Sequence, residues 1–287
     1  MVTRFGFILH AMQHHTPVPG HKHPRWDPDW LVPDWPAPAA VQAVCTSRAG
    51  GVSAPPYDRL NLGTHVGDDA ACVAHNRARL AQALGVRPVF LDQVHGQRVL
   101  ALQADTPDQM PADACQTRQP GVACTVMVAD CLPILLCDTA GTQVAAAHAG
   151  WRGLAGTGGH GVVEETLRSL RSFGPPAHVN TEGSAMEIIA WLGPCIGPQA
   201  FEVGDEVRAA FVAVHAPAAQ CFVPAPGGKW LADLAALARQ RLQAAGVSAI
   251  YGNDGSAPWC TVGNPLRFFS HRRDRVSGRQ AACIWLG

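Results

Sequence analysis

From residue 41 to the C-terminus the apolar residues fall in short runs bounded by Gly, Pro or Asp. Runs of this kind are too short for most helices and suit strands buried on both faces. They fall at 41–46, 89–94, 98–102, 122–128, 133–137, 143–147, 187–192, 248–251 and 280–286. Helical patterns occupy 69–84, 161–173, 205–215 and 230–245, the first capped by Asp68 or Asp69 and closed by Gly85. In the last, Leu231, Leu234, Leu237 and Leu242 form one stripe of the kind a helix packs against a core. The pattern therefore predicts a mixed α/β domain with more strands than helices.

The 287 residues carry 22 Lys+Arg against 22 Asp+Glu, and 47% of them are apolar. A chain this apolar and neutral is not disordered, and it lacks the basic excess of a dedicated nucleic-acid binder. No run approaches the ~20 apolar residues of a membrane span. The ten cysteines show neither the spacing of a disulfide framework nor a CxxC pair, and several sit in apolar runs as small core residues. The expectation is a reduced, cytoplasmic protein without membrane partners. Residues 1–28 stand apart, rich in His and Pro, and are expected to be a poorly ordered tail. The segment from Trp30 to Trp35 is expected to dock on the body.

Three residues at the ends of candidate strands stand out for chemistry: His95, Cys131 and His148. Strand ends share a rim, so positions distant in sequence can meet there. Two imidazoles and a thiolate suit zinc and leave a fourth position open, where the metal lowers the pKa of water to about 7. From the residues alone, histidines at strand ends are more often structural, and a Cys131 nucleophile with His148 as its base would use the same atoms as a metal site. Arg48, beside Gly50 and Gly51, has the setting of an anion-binding fork, and Arg272 and Arg273 can add charge. Asp130 is read as a general base, as a residue that fixes a turn or, more readily, as the holder of a ligand histidine. Asn61 and Asp68 are candidate contacts to sugar or base, or else a turn and a helix cap. Trp151 can stack on a purine or plug a core edge, and Cys260 reads as a buried structural thiol.

Several motifs follow one another along the chain: Thr46–Ser53 (TSRAGGVS), Asn61-Leu62-Gly63, Gln93-Val94-His95-Gly96, Ala129-Asp130-Cys131-Leu132-Pro133 and the Ala147–Gly153 stretch AHAGWRG. Gly193-Pro194-Cys195-Ile196-Gly197, then Phe269–Asp274 (FSHRRD) with Ser277-Gly278-Arg279, complete the series. It resembles the YfiH-type laccase-domain family, also called multicopper polyphenol oxidases and regarded as purine nucleoside phosphorylases. The resemblance runs from about Trp30 to the end. It implies one domain over 29–287, a layered α/β sandwich with mixed sheets similar to a toxin-type cysteine hydrolase fold.

It also implies that His95, Cys131 and His148 are the zinc ligands and the catalytic centre, with copper as an alternative metal. Arg48, Asn61, Asp68, Asp130 and Arg272 are then the residues for substrate and phosphate. The implied reactions are phosphorolysis of adenosine, inosine and methylthioadenosine, and hydrolytic deamination of adenosine. The implied partners are purine nucleosides and phosphate, with the protein a monomer or weak dimer. Three rivals remain: a copper polyphenol oxidase, a cysteine hydrolase, and a non-enzymatic envelope or division factor. The first needs paired His-x-His segments and a His-Cys-His bridge; the chain has only His21-Lys22-His23.

Overall fold

A computed structural model describes residues 26–172 and 186–287. The His-rich tail through residue 25 lies outside them. The strands are β1 (Val41–Cys45), β2 (Arg87–Phe90), β3 (Val99–Ala101), β4 (Ala114–Thr117), β5 (Val122–Val128), β6 (Leu132–Asp138) and β7 (Val144–Ala149). They continue with β8 (Ile188–Leu192), β9 (Glu202–Val203), β10 (Phe222–Ala225), β11 (Lys229–Ala232), β12 (Ala249–Gly252) and β13 (Gln280–Leu286). The helices are α1 (Ala70–Leu84), α2 (Trp151–Ala155), α3 (Val162–Ser172), α4 (Asp205–Val212), α5 (Leu234–Ala244) and α6 (His271–Asp274). Among the described residues no helix is long and apolar enough to cross a membrane.

Two mixed sheets stack face to face. One has the order β1-β13-β5-β2, the other β12-β8-β6-β7-β4-β3. Cys124, Val126 and Ile284 from the first meet Leu135, Cys137 and Ala146 from the second in one core cluster. The outer face of the larger sheet packs Ile134, Ala147 and Leu192 against α3, α4 and α5. The outer face of the smaller sheet packs Ala123, Met127 and Cys283 against α1 and Leu60. The layers thus run α/β/β/α. Successive side chains of a strand face opposite ways, so covering both faces demands the continuous apolar runs of β5, β6 and β13. Each fully buried Leu, Ile or Val there contributes roughly 1.5–3 kcal/mol.

The anchor segment docks as expected. Trp30 is buried against the smaller sheet, and Leu31 bridges to Cys45. Trp26 joins them, its Nε1 donating to the Ala83 carbonyl at 3.1 Å. One expected helix is shorter than its stripe: 230–232 belong to β11, which pairs with β10, and Asp233 caps α5 by accepting from the Ala236 N–H. The hairpin claims Trp230 and Leu231 because their backbone groups find partners there before a helix can start.

Candidate metal centre

The larger sheet sets the geometry of the site. β6 and β7 are antiparallel, with Leu132 opposite Ala149 and Pro133 opposite His148. That register brings Cys131, just before β6, beside Gly150, just after β7. On the other side β7 pairs with β4, Ala114 opposite Ala147, and the His148 N–H donates to the Asp113 carbonyl at 2.7 Å. β4 in turn pairs with β3, whose approach carries the His95–Gly96 turn. Cys131, His148, Asp113 and His95 therefore follow one another along the same rim.

The ligand atoms of His95, Cys131 and His148 all lie within 4.8 Å of one another. The two imidazoles meet edge to face, with ring centroids 4.7 Å apart. One ion can reach all three from this spacing, and the donor set of two nitrogens and one sulfur suits zinc or copper; without an ion, His148 is hydrogen-bonded to Cys131. Gly150 keeps the space open: a Cβ there would lie 2.5 Å from His95 Nδ1 and 3.1 Å from Cys131 Sγ.

Asp113, absent from the sequence-based candidates, organises the cluster. Fully buried, it accepts from His148 Nδ1 at 2.9 Å, and from the N–H groups of His95 at 2.8 Å and Gly96 at 2.6 Å. Burial pushes its carboxyl up, but the bonds from His148, Gly96 and His95 outweigh this and hold it below the usual carboxylate range. The bond at Nδ1 leaves His148 Nε2 for the cluster, the outer-shell arrangement that fixes a ligand histidine. His95, at φ 59°, sits in the sparsely populated left-handed region that this carboxylate stabilises. Burial, then His148, lowers its pKa, which keeps the ring neutral as a metal ligand requires.

The cluster opens into a cleft of about 300 Å³. Ile196, Phe201, Leu234 and Trp151 give it apolar walls; Arg152, Arg272, Arg275 and Arg279 give it positive charge. Trp151 begins α2 and packs on the core as well as lining the cleft.

The remaining sequence candidates are placed differently. Arg48 does not line the cleft: it donates to the carbonyls of Asp58 at 2.7 Å and Pro265 at 2.8 Å, and pairs with the Asp58 carboxylate. Its fork is consumed in tying two loops. Asn61 is fully buried in a turn, accepting from the Gly63 N–H at 2.9 Å, and Asp68 accepts from Asn61 Nδ2 at 2.9 Å; neither lines the cleft. The cap of α1 is Asp69, not Asp68.

Asp130 lines the cleft but touches neither histidine. It accepts from Thr261 Oγ1 and the Arg272 N–H, both at 2.6 Å, and so fixes α6. Arg272 and Arg273 both lie on α6. Arg272 lines the cleft, while Arg273 donates to the Thr261 carbonyl at 2.7 Å. Cys260 is half-buried and its sulfur accepts from the Gly197 N–H at 3.3 Å.

The family described as multi-copper polyphenol oxidoreductase laccase matches residues 42–287. A purine nucleoside phosphorylase of Pseudomonas aeruginosa is 52% identical over 258 residues, covering 90% of this chain and 98% of its own. The purine nucleoside phosphorylase YfiH of Escherichia coli is 50% identical, covering 89% and 98%. Among solved structures, a Neisseria meningitidis protein superposes with a TM-score of 0.77 at 45% identity, covering 90% of this chain and 99% of its own. YlmD from Geobacillus stearothermophilus gives 0.76 at 32%, covering 90% and 96%. On this match of sequence and fold, the chain belongs to the multi-copper polyphenol oxidoreductase laccase family.

Proposed function

We propose that the chain is a zinc-dependent purine nucleoside phosphorylase that also deaminates adenosine. The observation that carries this is the His95–Cys131–His148 cluster opening into a cleft with both apolar and cationic walls. The names of its relatives in Pseudomonas and Escherichia support the substrate class. The apolar walls suit a purine ring, and the arginines suit phosphate. A bound zinc would be held by His95, Cys131 and His148 and would supply Lewis acidity and a water of lowered pKa.

In phosphorolysis a phosphate oxygen bonds to the sugar C1′ while the bond from C1′ to the purine breaks. The base leaves with the electron pair and takes up a proton. The chain's part is to hold the dianion against C1′ and to exclude water, which would otherwise compete as nucleophile. In deamination water adds at the purine C6 and ammonia leaves.

The family description does not make copper oxidation the better reading. Among the described residues there is one three-donor cluster, and a multicopper centre needs several. A cysteine hydrolase is the stronger rival, because Cys131, His148 and Asp113 also line up as nucleophile, base and orienting acid. Metal analysis separates the two: zinc lost in Cys131→Ala supports the metal site, whereas an active, metal-free enzyme killed by thiol alkylation supports the hydrolase.

The function is tested by incubating the purified chain with adenosine, with and without phosphate, and resolving adenine, inosine and hypoxanthine chromatographically. Adenine formed only with phosphate, and inosine formed without it, are expected. Absence of every purine product, with His148→Ala behaving as wild type, overturns the proposal.

A further inference from the structure

Two sequence motifs without a role in the metal cluster converge on a single arginine. The Arg279 N–H donates to Asn61 Oδ1 at 2.9 Å, and the Leu62 N–H donates to the Arg279 carbonyl at 3.1 Å. Gly63 makes room for its stem, since a Cβ there would lie 2.8 Å from Arg279 Cγ. Asn61 is in turn held by Asp68 and by Asn76 Nδ2, which donates to its carbonyl at 2.9 Å. The Asn61-Leu62-Gly63 and Ser277-Gly278-Arg279 segments together form a socket for this one side chain.

Arg279 lines the cleft. Its Nη1 donates to the carbonyls of Ser277 at 2.8 Å and Gly278 at 3.0 Å. Nε and Nη2 have no hydrogen-bond partner among the described residues. A guanidinium carries five N–H donors in a planar fork, so the edge left over presents a bidentate face. Arg279 lines the same cleft as His95, Cys131 and His148; burial acts against its charge, and Cys131 and Asp130 support it. The other cleft arginines are less suited. Arg272 is anchored through Nη1 in the same way, but by longer bonds of 3.3 and 3.1 Å to the Ala200 and Glu202 carbonyls and without a socket for its stem; Arg152 lies over the Trp151 ring, and Arg275 is exposed.

We propose that Arg279 is the principal oxyanion-binding group of the cleft, holding inorganic phosphate beside the His95–Cys131–His148 cluster. This rests on the phosphorolytic reading above and moves the anion site from Arg48 to Arg279. A half-buried fork held at its backbone and at Nη1 is pre-organised, so it loses little side-chain freedom on binding a dianion.

The test titrates inorganic phosphate into the zinc-loaded full chain by calorimetry, comparing wild type with Arg279→Gln and Arg279→Lys. Phosphate affinity should fall about tenfold or more in Arg279→Gln and less in Arg279→Lys, which keeps the charge but loses the fork. Zinc content and adenosine affinity should stay as in wild type. Unaltered phosphate binding in Arg279→Gln, or no phosphate uptake by wild type, overturns the proposal. So does a loss of adenosine affinity equal to that of phosphate.

Turnover assays separate this proposal from the function on which it rests. Phosphate bound through Arg279 without release of any base leaves the oxyanion site standing and removes the phosphorylase. Base released by Arg279→Gln at an unchanged phosphate KM does the reverse.

Discussion

Asp113 and His148 face each other across the β4–β7 ladder and are joined twice: the His148 N–H to the Asp113 carbonyl at 2.7 Å, and Nδ1 to the carboxylate at 2.9 Å. The same carboxylate oxygen accepts from the His95 N–H at 2.8 Å. One buried acid thus positions two of the three candidate ligands, although it touches no metal position itself.

Asp113→Asn keeps the volume but removes the charge that orients His148, and sets an amide among backbone donors. Zinc affinity should fall about 10- to 100-fold, as for other outer-shell partners. Competition with a chromophoric chelator measures this. Wild-type affinity in the variant would show that the register alone holds the ligands.

Gly150→Ala places a methyl group 2.5 Å from His95 Nδ1. The backbone at Gly150 is extended, at φ −69° and ψ 159°, so alanine is tolerated conformationally and the effect is steric. The variant should fold, with far-UV circular dichroism unchanged, yet bind less than stoichiometric zinc. Full zinc occupancy would contradict the cradle.

Burial pulls the His148 pKa down, but Cys131 and Asp113 outweigh it and raise it from 6.5 to about 9 in the metal-free protein. A raised folded-state pKa stabilises the metal-free fold below 6.5, and that contribution is lost as pH climbs through about 9. Zinc needs the neutral ring and must expel the proton. Apparent zinc affinity should therefore rise across this interval, with proton release detectable by calorimetry in buffers of different ionisation enthalpy. Affinity that stays flat with pH would contradict it.

Asn76 on α1 is fully buried, and its side chain bonds Ser53 Oγ, the Arg59 and Asn61 carbonyls and the Val52 N–H. Asn76→Ala removes this partner; the Arg59 carbonyl keeps the Ser53 N–H, and each buried group left unpaired costs about 1–3 kcal/mol. Urea unfolding should show a loss of at least about 2 kcal/mol, because removing one partner strands the others. A loss below about 0.5 kcal/mol, the range of an ordinary surface substitution, would show that the loop repacks or admits water.

The strands buried on both faces were the legible part of the sequence: β5 and β13 have the expected bounds because nothing competes with a long apolar run between turn residues. β4 and the β9–β11 sheet were not, since Ala114–Thr117 carries no alternation and the stripe through Leu231 imitates a helix. At the site, His95, Cys131 and His148 emerged from motif order rather than from spacing. Asp113 gave no local signal, because its partners lie in the turn at 94–96 and at 148. The only hint was an acidic residue directly before the apolar Ala114-Cys115. Arg48 lies outside the cleft on the Asp58 and Pro265 carbonyls, and in sequence a fork beside two glycines looks the same whether it binds an anion or its own carbonyls.

The dependence of nucleoside turnover on zinc tests the central claim most directly. The chain is stripped with a chelator, assayed with adenosine and phosphate, and assayed again as zinc is returned. Activity should vanish on stripping and return linearly until one zinc is bound per chain. Undiminished turnover by the metal-free chain, or none at any zinc occupancy, would contradict the account.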